Sequence, residues 1–426
     1  ASHLDLSQFR RWYTDAGRPV VRIENNSDGA FALTQSTSPT PGQPDKPARV
    51  IPFSYAAYGA QSGDLLDEGQ IELRDETASL RIEGANEPVV LSALRGFSAP
   101  VSIDYDLTVD DRLALMAYDR DPFNRWSVAN GLWRHVCLQS ADNAGDDSVE
   151  KFAAALGAAL DGASDDPAFA AELLKPPSAS ELAQTATVID PQAIVDGRRR
   201  VVSAVAHLLA DRLRARYAEM QTNAPYAPDA ESAGRRALKN AALSLLVAAG
   251  DDALADEQAT SAANMTDEAA AVIALAVSDS DRRETALDRF YQKWRGESLV
   301  VNKWLSWRAL HPGDEALDDV IALLNHDAYD AGNPNKVRAL IGAFARENIA
   351  ALHRVDGAGY AFFIEQVEAI DGKNPQLAAR LVGMLENWPR LAPPLRDAAA
   401  DALQRLADPA RVSENVFEMV DRLLKA

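Results

Sequence analysis

The hydrophobic period of this chain changes once, and the place where it changes limits what the chain can fold into. From Val20 to Tyr105 apolar residues recur at every second position, in Val21/Ile23, Phe31/Leu33, Ile51/Phe53/Tyr55, Ile71/Leu73, Leu80/Ile82 and Val101/Ile103/Tyr105. That alternation belongs to half-buried strands. Turn-forming segments separate them, Asn25-Asn26-Ser27-Asp28-Gly29 and the proline-studded stretch from Ser36 to Pro47 among them. About seven short strands spaced this way predict a small immunoglobulin-like β-sandwich over residues 19–108. Past Thr108 the alternation ends, Ala becomes dominant, and capping residues followed by helical periodicity recur to the C-terminus. Residues 109–426 are therefore expected to form a large all-α domain, with the boundary between Tyr105 and Leu113. The 426 residues suit two or three domains at roughly 100–200 residues each.

Before the sandwich, residues 1–18 read as a terminal helix. Asp5 is a plausible N-cap, Leu6, Phe9 and Tyr13 share one face beside Trp12, and Gly17-Arg18-Pro19 stops the run. In the helical region Trp126, Asn130, Trp133 and Cys137 mark one stripe, and Thr266 is expected to cap the run Ala269 to Val277, with Asp267 and Glu268 in its first turn favouring the helix dipole. A repeat stands near the C-terminus: NPNKVRALIG from Asn333 and NPQLAARLVG from Asn374 start 41 residues apart. Asn caps, Pro fills the first helical position and the aliphatics form a buried stripe. A period near 40 is that of paired-helix solenoids of HEAT or armadillo type, which is the predicted architecture.

Charge and composition exclude several function classes. With 43 Lys plus Arg against 63 Asp plus Glu the chain carries −20, a field that repels phosphate backbones and anionic lipid, so neither nucleic acid nor a membrane is an expected partner. The longest uninterrupted apolar run has nine residues, Ala269 to Val277, against the ~20 a spanning helix needs. One cysteine, Cys137, permits no intramolecular disulfide and no multi-thiolate metal site, which suits a reducing cytoplasm. The first residues, ASHLDLSQFRRWY, lack an initiator Met and an apolar stretch, and read as the start of an excised fragment rather than as a signal peptide.

No catalytic constellation is complete. There is no G-x-x-x-x-G-K-[ST] loop, no G-x-G-x-x-G and no G-x-S-x-G elbow. None of His3, His135, His207, His311, His326 and His353 opens an H-E-x-x-H helix, the spacing that turns two imidazoles toward one zinc ion. His326-Asp327-x-x-Asp330 is the best metal-like cluster and reads as a solvated turn, while Asp279-x-Asp281 lacks the Gly and distal Glu of a calcium loop.

Several strings together carry a resemblance. DLSQFRRWYTDAGRPVV from Asp5, DPFNRW from Asp121, NMTDEAAAVIAL from Asn264, NPNKVRALIGAFA from Asn333, DGAGY from Asp356 and NPQLAAR from Asn374 lie along the whole chain. In that order and spacing they resemble the C-terminal half of the bacterial aminopeptidase N family of zinc exopeptidases. The resemblance implies a small β-sandwich and a helical domain that follow a catalytic domain, whose G-A-M-E-N strip and H-E-x-x-H with distal Glu are not in this sequence. It implies a chain that is not an enzyme alone and has no cofactor of its own, zinc belonging to the parent. Its implied partners are its own missing N-terminal catalytic domain and peptide substrates, and its implied role is to cover the catalytic cleft and shape peptide access. Family residues that meet the peptide fall on Arg338, Gln376 and Arg380. From the residues, Arg338 and Arg380 flank apolar stripes, each with a glycine one turn on (Gly342, Gly383) that leaves room for a long side chain. The rival readings are a surface salt bridge for each arginine, and a stand-alone helical-repeat adaptor for the chain.

Overall fold

The structure is a computed structural model that describes residues 5–26, 29–141, 147–313 and 315–425. Ser27 and Asp28 of the first expected turn, and His3, lie outside the described residues. The chain divides into two compact units, one reaching Leu132 and the other beginning at Trp133.

In the first unit seven strands form two sheets. They are β1 (Val20–Asn25), β2 (Ala30–Ser36), β3 (Ile51–Gly59), β4 (Leu65–Leu73), β5 (Thr77–Arg81), β6 (Val89–Ala93) and β7 (Ser102–Tyr105). One sheet has the order β5-β2-β1-β7, with β7 parallel to β1, and the other has β4-β3-β6. The alternating residues face one another as the core, Val21, Ile23, Phe31 and Leu33 from the first sheet against Phe53, Tyr55, Leu73 and Leu91 from the second. Strand β6 has no alternation because four consecutive residues are buried, so the period gave no sign of it. Its outer side is occupied by polar groups: the buried Asp119 carboxylate accepts from Tyr58 Oη (3.2 Å) and Ser92 Oγ, and Asn124 Nδ2 donates to Ser92 Oγ (2.7 Å). Next to it Leu94, Gly96 and Phe97 all take left-handed backbone, and the Gly96 N–H is held by Asp121 Oδ2 at 3.0 Å. That chain reversal leaves Phe97 exposed against Phe123.

Residues ahead of the sandwich form less helix than their pattern predicts. Only Arg11–Thr14 is α-helical, preceded by turns, and none of its residues is buried. The segment is fixed by polar contacts instead, with Trp12 Nε1 donating to the Val50 carbonyl (2.9 Å) and the Arg49 guanidinium lying 5.1 Å from the Trp12 ring centroid.

Helices account for the secondary structure described from Val109 onward. Among the described residues five of them open on the same device, an Asx side chain capping and a proline at the first helical position: Asp121-Pro122, Asp166-Pro167, Asp190-Pro191, Asn333-Pro334 and Asn374-Pro375. The expected Thr266 cap is corrected. The helix is Met265–Ala276 and its N-cap is Asn264, whose side chain accepts the Asp267 N–H at 3.0 Å. Asn264 stands three residues before Asp267, the reach an N-cap needs, while Thr266 already lies inside the first turn. Asp267 does more than favour the dipole. It is buried and takes hydrogen bonds from Lys239 Nζ (2.6 Å), Asn240 (2.9 Å) and Asn264 (3.0 Å). Burial alone would raise its carboxyl pKa, yet these donors hold it below the usual carboxylate range.

Both copies of the internal repeat start alike and then part. Pro375–Val382 continues as α-helix, whereas the α-turn Pro334–Val337 widens into a π-helical segment, Arg338–Gly342, before α-helix resumes at Ala343. The repeat glycines serve packing. A Cβ at Gly342 would lie 3.6 Å from Met384 Cε, and one at Gly383 would lie 3.7 Å from Met419 Cε. Each glycine thus receives a methionine tip from a later element, and Gly342 also stands against the Cβ of Arg338.

Early and late helices of this second unit are joined directly. Ile189 and Leu391 form a parallel bridge, with Ile189 N donating to Arg390 O (2.7 Å) and Ala392 N to Ile189 O (2.8 Å). The Arg390 guanidinium donates to the carbonyls of Ala183 (3.3 Å), Gln184 (3.1 Å) and Ala186, which end the helix Ala179–Thr185.

Candidate functional site

Beside that junction the helical unit encloses a cleft of about 550 Å3. One wall is the helix Ala179–Thr185 with its cap Ser178; the other runs from Ala345 through Arg380 to Leu391. Ser178 and Glu181 form a capping box, and Ser180 Oγ donates to Glu347 Oε2 at 2.9 Å across the cleft. These bonds engage two of the lining carboxylates. The Glu386 carboxylate and the guanidinium groups of Arg346 and Arg380 make no hydrogen bond or ion pair with any described residue. The cleft therefore offers free charges of both signs.

The three sequence-derived residues fall as follows. Arg380 and Gln376 are exposed and one turn apart on Pro375–Val382, and Arg338 is exposed at the start of the π segment. None of the three side chains makes a hydrogen bond or ion pair with a described residue. Arg380 lines the cleft; Arg338 and Gln376 are not among its lining residues. Their helices meet where Met384 reaches the Gly342 backbone. Arg346 is the residue that sequence reasoning missed. It stands eight positions after Arg338 with Gly342 midway, a spacing visible in the sequence.

His353 closes the cleft floor. Its Nδ1 lies 2.6 Å from Tyr360 Oη, which donates to the Leu395 carbonyl at 3.3 Å. A phenol has one proton, so both bonds form together only if His353 carries its proton on Nδ1, which leaves Nε2 a lone-pair acceptor. Burial pushes the imidazole down to about 4 and the Tyr360 phenol up, so both are neutral near pH 7.

Zinc, which the resemblance places in the parent, does not fit the residues present. His326 Nδ1 accepts the Ala328 N–H (3.0 Å) and Asp330 Oδ1 accepts the Gly332 N–H (2.8 Å), so these lone pairs cap a turn. Among the described residues no group of three or more His, Cys, Asp or Glu side chains could hold a metal ion, and no helix is long and apolar enough to cross a membrane.

An immunoglobulin-like sandwich followed by paired helices with a charged cleft defines a two-part class of chain. The family described as "Domain of unknown function (DUF3458) Ig-like fold" matches residues 17–106, and "Domain of unknown function (DUF3458_C) ARM repeats" matches residues 109–425. The chain belongs to this DUF3458 family, with an immunoglobulin-like domain and an armadillo-repeat helical domain. Over its whole length it is 40% identical to Aminopeptidase N of Caulobacter vibrioides and 32% identical to Aminopeptidase N of Escherichia coli, spanning 50% and 51% of those proteins. A crystal structure of Legionella pneumophila aminopeptidase A in complex with aspartic acid superposes with a TM-score of 0.84 at 25% identity, over 99% of this chain and 50% of that one. The chain thus spans about half the length of the relatives it matches.

Proposed function

We propose that this chain is the non-catalytic C-terminal region of a zinc aminopeptidase, covering the catalytic cleft and guiding peptides whose N-terminal residues the parent removes. Residues 19–108 and 109–426 are its working domains, residues 1–18 the end of the catalytic domain, and a reducing cytoplasm its compartment. Zinc belongs to the catalytic domain, which is the partner of this chain together with the peptide substrate. Peptide-contacting residues are Arg338, Gln376 and Arg380, with Arg346 added by its place in the cleft. The observation that carries this reading is that Arg380 stands in a cleft without an ion pair, in a chain with 20 surplus acidic charges. An arginine that served only as a surface salt bridge would have found a partner there. A free guanidinium can take a peptide's C-terminal carboxylate through two parallel hydrogen bonds. In the full-length enzyme, Arg338→Gln and Arg380→Gln should each raise KM for tri- and tetrapeptides by roughly tenfold, and leave an aminoacyl anilide, too short to reach them, nearly unchanged. Variants that slow the anilide as much as the peptides would overturn the assignment.

A further inference from the structure

The helical unit carries another cleft, of about 630 Å3, a size that holds a small organic ligand. Val195, Val202, Leu245, Val247, Ala274 and Leu310 give it aliphatic walls. Its acids are engaged: Asp279 holds Arg199 (3.2 Å), Asp252 takes Ser280 Oγ and lies 3.7 Å from Arg282, and Glu347 takes Ser180. Arg198 is different. Its Nε donates to the Pro177 carbonyl at 2.6 Å, and its two terminal nitrogens make no hydrogen bond or ion pair with any described residue. The side chain is half-buried, burial depresses its pKa against the field of Glu181, and the neighbouring Cys137 is a neutral thiol, so its charge lacks a full counterpart.

We propose that this cleft binds a single carboxylate joined to a branched aliphatic body, the carboxylate on the free edge of Arg198 and the body against Val202 and Leu245. The planar fork of a guanidinium matches a carboxylate bidentately, and the wall residues gain by covering apolar surface. The engaged acids around the rim favour a ligand with one negative charge over a phosphate with two. Such chemistry is met in a free short-chain acid and in the last residue of a peptide that ends in Leu or Val.

Titration of this chain by calorimetry tests the assignment with 4-methylpentanoate and N-acetyl-Ala-Leu, each beside its carboxamide. Both acids, or one of them, should show saturable binding that depends on Arg198, and the acid that does so names the source. The matching amides, and the Arg198→Gln variant, should bind about tenfold more weakly or worse. Ser244→Glu adds a negative charge at an exposed lining position, so it should weaken binding without unfolding the chain should Arg198→Gln fail to fold. Arg380→Gln should keep the Arg198-dependent binding of either acid and lose only what the dipeptide acid binds in the cleft assigned above, which separates the two sites. Amides that bind as well as acids, full-strength binding by Ser244→Glu, or no saturation by either acid would overturn the proposal.

Discussion

At the scale of single residues, a buried ion pair and a histidine govern how the helical unit responds to its surroundings. Asp267 and Lys239 compensate each other out of contact with water, and removing either partner would leave a buried charge, an arrangement that typically costs about 3–5 kcal/mol to break. His353 responds to pH instead. Its imidazole is held neutral in the fold by burial, down to about pH 4, while the same group in the unfolded chain takes a proton below about pH 6.5. Between these values the unfolded state binds more protons, so stability rises with pH across the window and is lost as pH falls through it. The His353 contribution amounts to as much as ~3 kcal/mol. Urea unfolding at pH 7.5 and pH 4.5 should show the wild type losing that increment and His353→Gln losing much less of it; equal losses would show that His353 is not the sensor.

Elements tell how far periodicity carries. The other six strands were legible because each keeps an alternating stretch, β3 only in its first half before Tyr55 to Gly59 are all buried, whereas β6 was not, since Asp119 and Asn124 cover its second face and bury it on both sides. The first segment shows the opposite failure. Leu6, Phe9 and Tyr13 have helical spacing, but all three are exposed, and without an apolar surface to rest on the pattern yields one turn. Within the repeat, Asn, Pro and Gly have the same structural use in both copies, yet the π segment at Arg338–Gly342 has no signature in its residues. Arg380, named through a resemblance, and Arg346, not named, both line the cleft, whose walls come from helices far apart in sequence and so leave no local pattern. Glycine position within an element makes a sharp test. A Cβ on Gly359 would collide with the carbonyl oxygens of Leu352 and Ala351, both backbone atoms that cannot turn aside. Gly342→Ala meets only ordinary contacts, at 3.6 and 3.8 Å. Gly359→Ala should therefore cost at least ~1–3 kcal/mol in thermal or urea unfolding, and Gly342→Ala should stay within about 1 kcal/mol of the wild type.

On the scale of the molecule, the helical unit is fastened between residues some 200 positions apart by the Ile189–Leu391 bridge and by Arg390. The Arg390 contacts are charge-assisted: Nη2 alone faces the three carbonyls while Nη1 reaches Asn387 Oδ1 at 3.4 Å, and a lysine ammonium can take the place of only one of these two nitrogens. Arg390→Ala should cost about 1.5–3 kcal/mol, and Arg390→Lys should recover only part of it; a variant as stable as the wild type would mean that the backbone bridge alone closes the junction. Closure at this point also fixes the walls of the Arg380 cleft, since Ile189 and Leu391 line it. The one thiol of the chain follows the state of this whole unit. Cys137 is fully buried and its pKa is pushed up to about 12, so almost none of it is the reactive thiolate while the fold is intact. A chromogenic disulfide reagent can then react only in the moments when the surrounding helices part. The speed of colour development becomes a clock for those openings, slowing whenever something clamps the helices shut, and a single cysteine means the clock has one hand.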